Sequence, residues 1–197
     1  IIPKHIVGPG TSYAFYHLPK RPLTIHVLEI DLNNQYVQVE ACNGGQKSVA
    51  TELTTNMYKR NDSPGHDMIA AHNGSFFHTS ETDQTAVGMS RMGLICNGEV
   101  LQNPVGWPLF ILTQDKVSYL ENVYFNASIT SSKGASNRIH TFNTHFLELE
   151  SVDDNGERMM MYTSEYGTKT NATSGGTKVI LVPKNDDFII TPSKTVT

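Results

Sequence analysis

The 197 residues hold only two cysteines and one tryptophan, and their basic side chains form no block. Formal charge is -4, from 15 Lys and Arg against 19 Asp and Glu. A chain without a dense basic patch lacks the counterion-releasing surface that nucleic acid or an anionic membrane face requires, so neither is expected as a partner. No apolar run approaches the ~20 residues of a membrane-spanning helix. The first ten residues, IIPKHIVGPG, lack the basic, apolar and small-residue layout of a signal peptide. Cys42 and Cys96 have neither metal-site nor redox spacing and fall in strand-like stretches. Buried free thiols are therefore expected in preference to a disulfide. At this length a single domain should bury roughly 70% of its unfolded surface without a disulfide scaffold.

What the chain does have is Val, Ile, Tyr, Phe and Thr in short runs, parted by Asn, Gly, Asp and Pro. That pattern predicts many strands with tight connections. In PLTIHVLEIDL (22–32), Ile25 and Val27 share one parity while Leu28, Ile30 and Leu32 take the other. The switch predicts a bulge, or a strand covered on both faces. QYVQVEAC (35–42) alternates like a strand. In SVATELTTNMYKRN, Val49, Leu53 and Met57 recur every four residues behind a capping Ser48, which predicts the one main helix, at about 48–61. MGLICNGEVLQ reads as a hairpin turned by Asn97-Gly98, the pair that accepts positive φ at both positions. Further strands are expected at 109–113, 117–129, 145–150, 159–163 and 178–182, with loops at 131–137 and 153–157. The fold class predicted is α+β: a mixed, largely antiparallel sheet with that helix packed on it, in one domain over 1–197.

One corner concentrates polar chemistry. DMIAAHNGSFFHTSETD (67–83) leaves an apolar run at His72-Asn73-Gly74-Ser75, then passes two aromatics and His78 into acids and hydroxyls. If 67–72 is extended, His66 and His72 lie about 20 Å apart and cannot share an ion. His72 and His78 converge only if the chain bends at Asn73-Gly74, with Asp83 a third ligand. Ordinary polar contacts are the favoured reading of these histidines, and no metal is assigned. Spacing alone favours a plain strand end, with Gly74 at positive φ, Asn73 bonding its own backbone, and Phe76 and Phe77 in the core. The same residues form an N-x-S sequon, as do Asn126-Ala127-Ser128 and, in its N-x-T form, Asn171-Ala172-Thr173.

AAHNGSFF resembles the (A/I)-x-N-G-(G/D/S)-(F/Y)-F element of the phosphodiester glycosidase family, which includes an enzyme that removes N-acetylglucosamine from a phosphodiester. Three further stretches match in the family's order: LTIHVLEIDLNN, TAVGMSRMGLICNGEVL and RMMMYTSEYGTKTNATSGGTKVILV. The departures are specific. Thr177-Lys178-Val179 replaces a usual Glu before the valines, and Asn137-Arg138 matches an Asn/Arg element loosely. The family's R-(T/S)-A-(I/V)-G strand and D-G-G-G-S-S loop do not occur. The resemblance thus implies the N-terminal portion of such a domain, working outside the cytoplasm (secreted, periplasmic or surface-attached), with a carbohydrate or sugar phosphate as partner and no cofactor.

Under that resemblance the leaving group is a phosphate monoester with a second pKa near ~6, which departs with little protonation. Cations and N–H donors around the phosphate then matter more than a strong general acid. Arg91 is the first candidate clamp and Arg138 the second, though solvated surface charge is the favoured reading of Arg138. At the sugar carbon a carboxylate must activate water or attack, and Glu81 and Asp83 are the nearest, each also readable as loop surface. Asn73 is the expected donor to a sugar hydroxyl or phosphate oxygen, with Gly74 permitting close approach and His72 and His78 lining the site. Phe76 and Phe77 should alternate, one to the core and one to the cleft. Two other classes compete with the hydrolase: a saccharide- or anion-binding module without chemistry, and a purely structural domain.

Overall fold

A computed structural model describes residues 2–79, 86–144, 158–170 and 177–182. Its first unit is a meander of three antiparallel strands, β1 (Ile2–Gly8), β2 (Thr11–Leu18) and β3 (Leu23–Ile30). β2 and β3 pair without a slip from Thr11↔Ile30 to Leu18↔Leu23, so the phase switch in this stretch needs no bulge. The register sets Ala14, Tyr16 and Leu18 beside Val27, Ile25 and Leu23 on one face. Tyr13 and Phe15 stand beside Leu28 and His26 on the other, where Tyr13 Oη lies 2.7 Å from His26 Nδ1. Apolar groups therefore occupy both faces. Residues 35–42 form no strand: the carbonyls of Asn34 and Val37 accept hydrogen bonds from Lys116 Nζ at 2.8 and 2.7 Å, which bends that stretch away from a ladder.

The helix, α1 (Thr54–Asn61), begins six residues later than the spacing of Val49, Leu53 and Met57 predicts. The reason is a competing partner. The backbone N–H groups of Ser48 and Val49 donate to the carbonyls of Glu165 and Tyr166 at 2.7 and 3.2 Å, and Ser48 Oγ donates to Leu101 O. Ser48 thus caps nothing, and Leu53 precedes the first turn without a side-chain cap. Lys59 and Arg60 sit in the last turn, where the exposed carbonyls favour cations.

Tight turns set the rest. β4 (Leu94–Cys96) and β5 (Glu99–Gln102) form the expected hairpin, with Asn97 at φ 51° and Gly98 at φ 81°. β6 (Val105–Leu112) pairs with β7 (Ser118–Tyr124), and β8 (Ala127–Thr130) with β9 (Ser136–Ile139). The strand expected over 117–129 is therefore two strands in different sheets. β10 (Thr141–Phe142) and β11 (Met160–Met161) make a short parallel pair. Residues 178–182 belong to no strand and lie exposed. The expectations at 145–150 and 153–157 fall outside the described residues. Among those residues the architecture is β-rich, several small and mainly antiparallel sheets with one α-helix. No described helix is long and apolar enough to cross a membrane.

Among the described residues, most of the buried side chains lie in two places. Ala86, Met89 and Tyr166 form an apolar cluster flanked by Val49 and Tyr162. Beside β5 and β10 lies a buried polar layer. Asn143 Nδ2 donates to Leu101 O and Thr163 Oγ1, and its Oδ1 accepts from Thr163 N. Asn103 Oδ1 accepts from Phe142 N and Thr144 Oγ1. Satisfied amides of this kind hold strands in register where apolar packing is thin. Both cysteines are free thiols, but only Cys96 is shielded; Cys42 is exposed, its Sγ near Met57 Sδ.

Candidate functional site

The polar corner is assembled from the end of α1 outward. Tyr58 Oη donates to Met68 O at 2.6 Å, and Met68 N donates to Asp62 Oδ1. These bonds lead the chain past α1 to Asn73, and the bend itself falls at Ser75, two residues later than expected. Thr54 Oγ1, at the first position of the helix, donates to Asn73 Oδ1 at 2.8 Å. The amide's oxygen is thereby engaged, and among the described residues its Nδ2 donates to no protein group. His72 Nδ1 donates to Asn73 O at 2.8 Å, which leaves Nε2 as the ring's accepting atom.

Past the bend, residues 75–78 run antiparallel to 88–91. His78 N donates to Met89 O and Arg91 N to Phe76 O, both at 2.9 Å, around the Phe77↔Ser90 bridge. Phe76 and Arg91 are directly opposed in this ladder and so share a face. Ser75 Oγ and Ser90 Oγ lie 3.2 Å apart. The ladder is anchored at one end, where Met89 is fully buried and His78 is 8% exposed, and open at the other. Phe76 is 74% exposed and Phe77 46%, so neither enters the core. Apolar packing at 0% exposure is supplied instead by Met89, the ladder's other strand.

The glycines also differ from expectation. Gly74 has no positive φ, and a Cβ built there meets nothing within 4 Å. It is Gly88 that the backbone requires, at φ 92° with its Cα against the backbone of Ala50.

The structure thus gathers His72, Asn73, Gly74, His78 and Arg91 along one bend and its ladder. Arg138 lies on β9, opposite Ser128, in a strand pair that does not include the 75–78 and 88–91 ladder. Glu81 and Asp83 lie outside the described residues. His66 is committed elsewhere, with Nδ1 donating to Asn61 O at 2.7 Å and Nε2 lying 3.2 Å from Glu40 Oε1, and these acceptors raise its pKa. Among the described residues no three His, Cys, Asp or Glu side chains are grouped to hold a metal ion. Arg60 holds Glu52 with Nη2 2.9 Å from Oε2, and this bond, with one from Gly45 N, lowers the Glu52 pKa. A hollow of about 520 Å³ lies elsewhere, lined by Lys4, Thr11, Ser12, Glu29 and Asp31 on the three-stranded meander.

Two contributors escaped the sequence reading. Thr54 falls inside the helix that the sequence predicts at 48–61, whereas a hydroxyl at the actual helix start is a natural partner for an incoming side chain. Ser90 carries no motif of its own, yet its side chain and carbonyl tie Ser75, Met92 and Gln102 together. No family model, no curated protein and no solved structure matches the chain.

Proposed function

We propose that the chain recognises a phosphate-linked sugar at the 72–91 bend and contributes to hydrolysis of its sugar 1-phosphodiester bond, as the resemblance to phosphodiester glycosidases implies. The observation that carries this reading is the Thr54–Asn73 hydrogen bond, because it holds the amide by its oxygen and leaves Nδ2 available as a donor. Arg91, opposed through the backbone to the exposed Phe76, adds a cation on the same side of the ladder. A guanidinium and an amide donor suit phosphate oxygens, and an aromatic ring suits the apolar face of a sugar. In this reading Glu81 or Asp83, between the two strands in sequence, supplies the carboxylate at the sugar carbon. His72 and His78 line the site, and Arg138 plays no part in it.

The same reading takes the protein to be exported and α1 to pack on the sheet in one α+β layer. The contact of Ile69 with Gly8 on β1, one residue after the Tyr58 bond to Met68, supports that packing. The binding module without chemistry is the competing reading, which needs the amide donor and the cation at the bend but no carboxylate.

Titration with N-acetylglucosamine 1-phosphate, and separately with inorganic phosphate, tests the assignment. Amide shifts in the NMR spectrum should concentrate on residues 72–78 and 88–91. Shifts confined to the hollow at Lys4, Thr11 and Asp31 would place binding elsewhere and sink it. Release of free N-acetylglucosamine from a phosphodiester substrate separates the hydrolase from the binding module.

A further inference from the structure

Two sulfur atoms from distant parts of the chain meet beside α1. Cys42 Sγ points at Met57 Sδ from 3.8 Å, although 15 positions in sequence separate them. The main chain on both sides of the contact is held. Glu40, just before Cys42, has its Oε1 3.2 Å from His66 Nε2, and the carbonyl of Asn43, just after it, accepts from Arg60 Nη2 at 3.1 Å. Met57 sits within α1, its N–H donating to Leu53 O and its carbonyl accepting from Asn61 Nδ2. Anchored backbone therefore places both sulfurs, the thiol exposed and the thioether half-buried.

Their separation has a chemical meaning. Two sulfurs 3.8 Å apart, each bonded to one metal ion at ~2.3 Å, subtend roughly 110° at that ion, the angle of a tetrahedral site. The pair is thus already at the bite of a chelate. The donor types then choose the ion. Zinc takes thiolate, imidazole or carboxylate, and calcium and magnesium take oxygen, whereas a thiolate joined to a polarisable thioether suits Cu(I). Charge selects in the same direction. Arg60 keeps a guanidinium next to Cys42 through its bond to Asn43. A thiolate and a monovalent ion sum to zero, while a divalent ion would leave net positive charge beside that guanidinium.

We propose that Cys42 and Met57 form a surface site for the soft monovalent ion Cu(I), with the exposed side left to an exchangeable third ligand. Loading replaces a proton: the S–H bond of Cys42 breaks, an S–Cu bond forms, and one proton leaves for each ion bound. The thioether supplies a second, neutral bond, and no atom changes oxidation state. The site uses none of residues 72–91 and is independent of sugar-phosphate binding there.

Anaerobic titration of the whole chain with Cu(I), held by the coloured chelator bicinchoninate, tests the site. The protein should withdraw one ion per chain and release about one proton with it. Cys42→Ser should lower the affinity by more than the roughly 10–100-fold that follows loss of an outer-shell partner. Met57→Leu, close in volume, should lower it at least ~10-fold with an unchanged melting temperature. Cys96→Ala should leave it as in the wild type. The ε-methyl resonance of Met57 should shift on loading, and that shift decides should Met57→Leu fail to fold. An adventitious ion only, held equally well by the wild type and by Met57→Leu, overturns the proposal. So does withdrawal that survives Cys42→Ser, or a wild type that takes no copper from the chelator.

Discussion

Thr54 Oγ1 stands 2.8 Å from Asn73 Oδ1, a bond that joins the first turn of α1 to the polar corner, two residues before the bend at Ser75. Its value lies in orientation. An asparagine held by its oxygen presents its two N–H groups outward, and only donors are useful to a phosphate.

Asn73→Ala should therefore weaken binding of N-acetylglucosamine 1-phosphate about ten-fold, from the ~1–1.5 kcal/mol of one lost hydrogen bond, more if the phosphate is its partner. Stability should move by no more than about 0.5 kcal/mol, since the bond is exposed. Asn73→Asp keeps an acceptor for Thr54 but presents a negative charge, and should bind phosphate worse than the alanine variant does. Calorimetric titration paired with thermal melts checks both. Equal losses of binding and of stability would make Asn73 a folding residue.

Arg91 and Arg138 make a matched comparison. Arg91→Ala should cost about 1.5–3 kcal/mol of phosphate affinity, the range for a hydrogen bond to a charged group, or roughly ten- to a hundred-fold. Arg91→Lys should recover only part, because an ammonium cannot repeat a two-pronged contact. Arg138→Ala, on a strand of another sheet, should change affinity less than two-fold, by the same titrations. A larger effect at Arg138 would relocate the clamp.

How legible this was depended on how local the physics is. Asn97-Gly98 declared its hairpin because both residues accept positive φ, a property of two residues and nothing else. Ser48 misled for the opposite reason: its helical spacing was genuine, but Glu165, 117 residues away, takes its backbone N–H. The 35–42 alternation failed likewise, since nothing local announces that Lys116 will bond the carbonyls of Asn34 and Val37. At the site, Arg91 is opposed to Phe76 by a short ladder within one stretch of chain, and Asn73 is tied instead to Thr54 on α1, a partner that no local pattern announces. The exposure of Phe76 and Phe77 was not readable either. Both look like core residues until Met89 is found filling that place.

Gly88 and Gly74 should respond in opposite ways. Gly88→Ala sets a Cβ into the backbone of Ala50 at φ 92°, and should lose at least ~2 kcal/mol in urea denaturation. Gly74→Ala meets open space and should leave stability within about 0.5 kcal/mol. Any drop in sugar-phosphate affinity in Gly74→Ala then reports the approach of ligand to the bend, free of folding effects.

The two thiols should separate by reactivity. Burial, with the neighbouring Cys42, Glu99 and Glu40, pushes the Cys96 thiol up to about 11, so almost none of it is thiolate at pH 8. Cys42 is exposed. Iodoacetamide at pH 8 should therefore label Cys42 first and leave Cys96 largely unmodified until denaturant is added, since the thiolate is the nucleophile. Mass mapping of the labelled peptides reads this directly. Equal labelling in the folded protein contradicts the burial of Cys96.

His66 gives the protein a pH dependence whose sign can be worked out. Its Nδ1 faces the carbonyl of Asn61 and its Nε2 the carboxylate of Glu40, with Asp62 adding negative charge nearby. Two acceptors are satisfied together only by a ring protonated at both nitrogens, so the folded pKa lies above the ordinary ~6.5. The clip between α1 and the 37–43 stretch therefore contributes fully below about pH 6.5 and is lost as pH rises through the folded value. Glu52, whose pKa the Arg60 bond lowers, works in the other direction: its contribution is present above the ordinary carboxylate range and disappears as pH falls through its depressed value. Stability contributed by the two together should be greatest between these limits, on the mildly acid side of neutrality. Urea midpoints measured against pH should fall on the alkaline side in the wild type and flatten there in His66→Gln. An NMR titration that places the His66 midpoint at or below about 6.5 would contradict the double hydrogen bond itself.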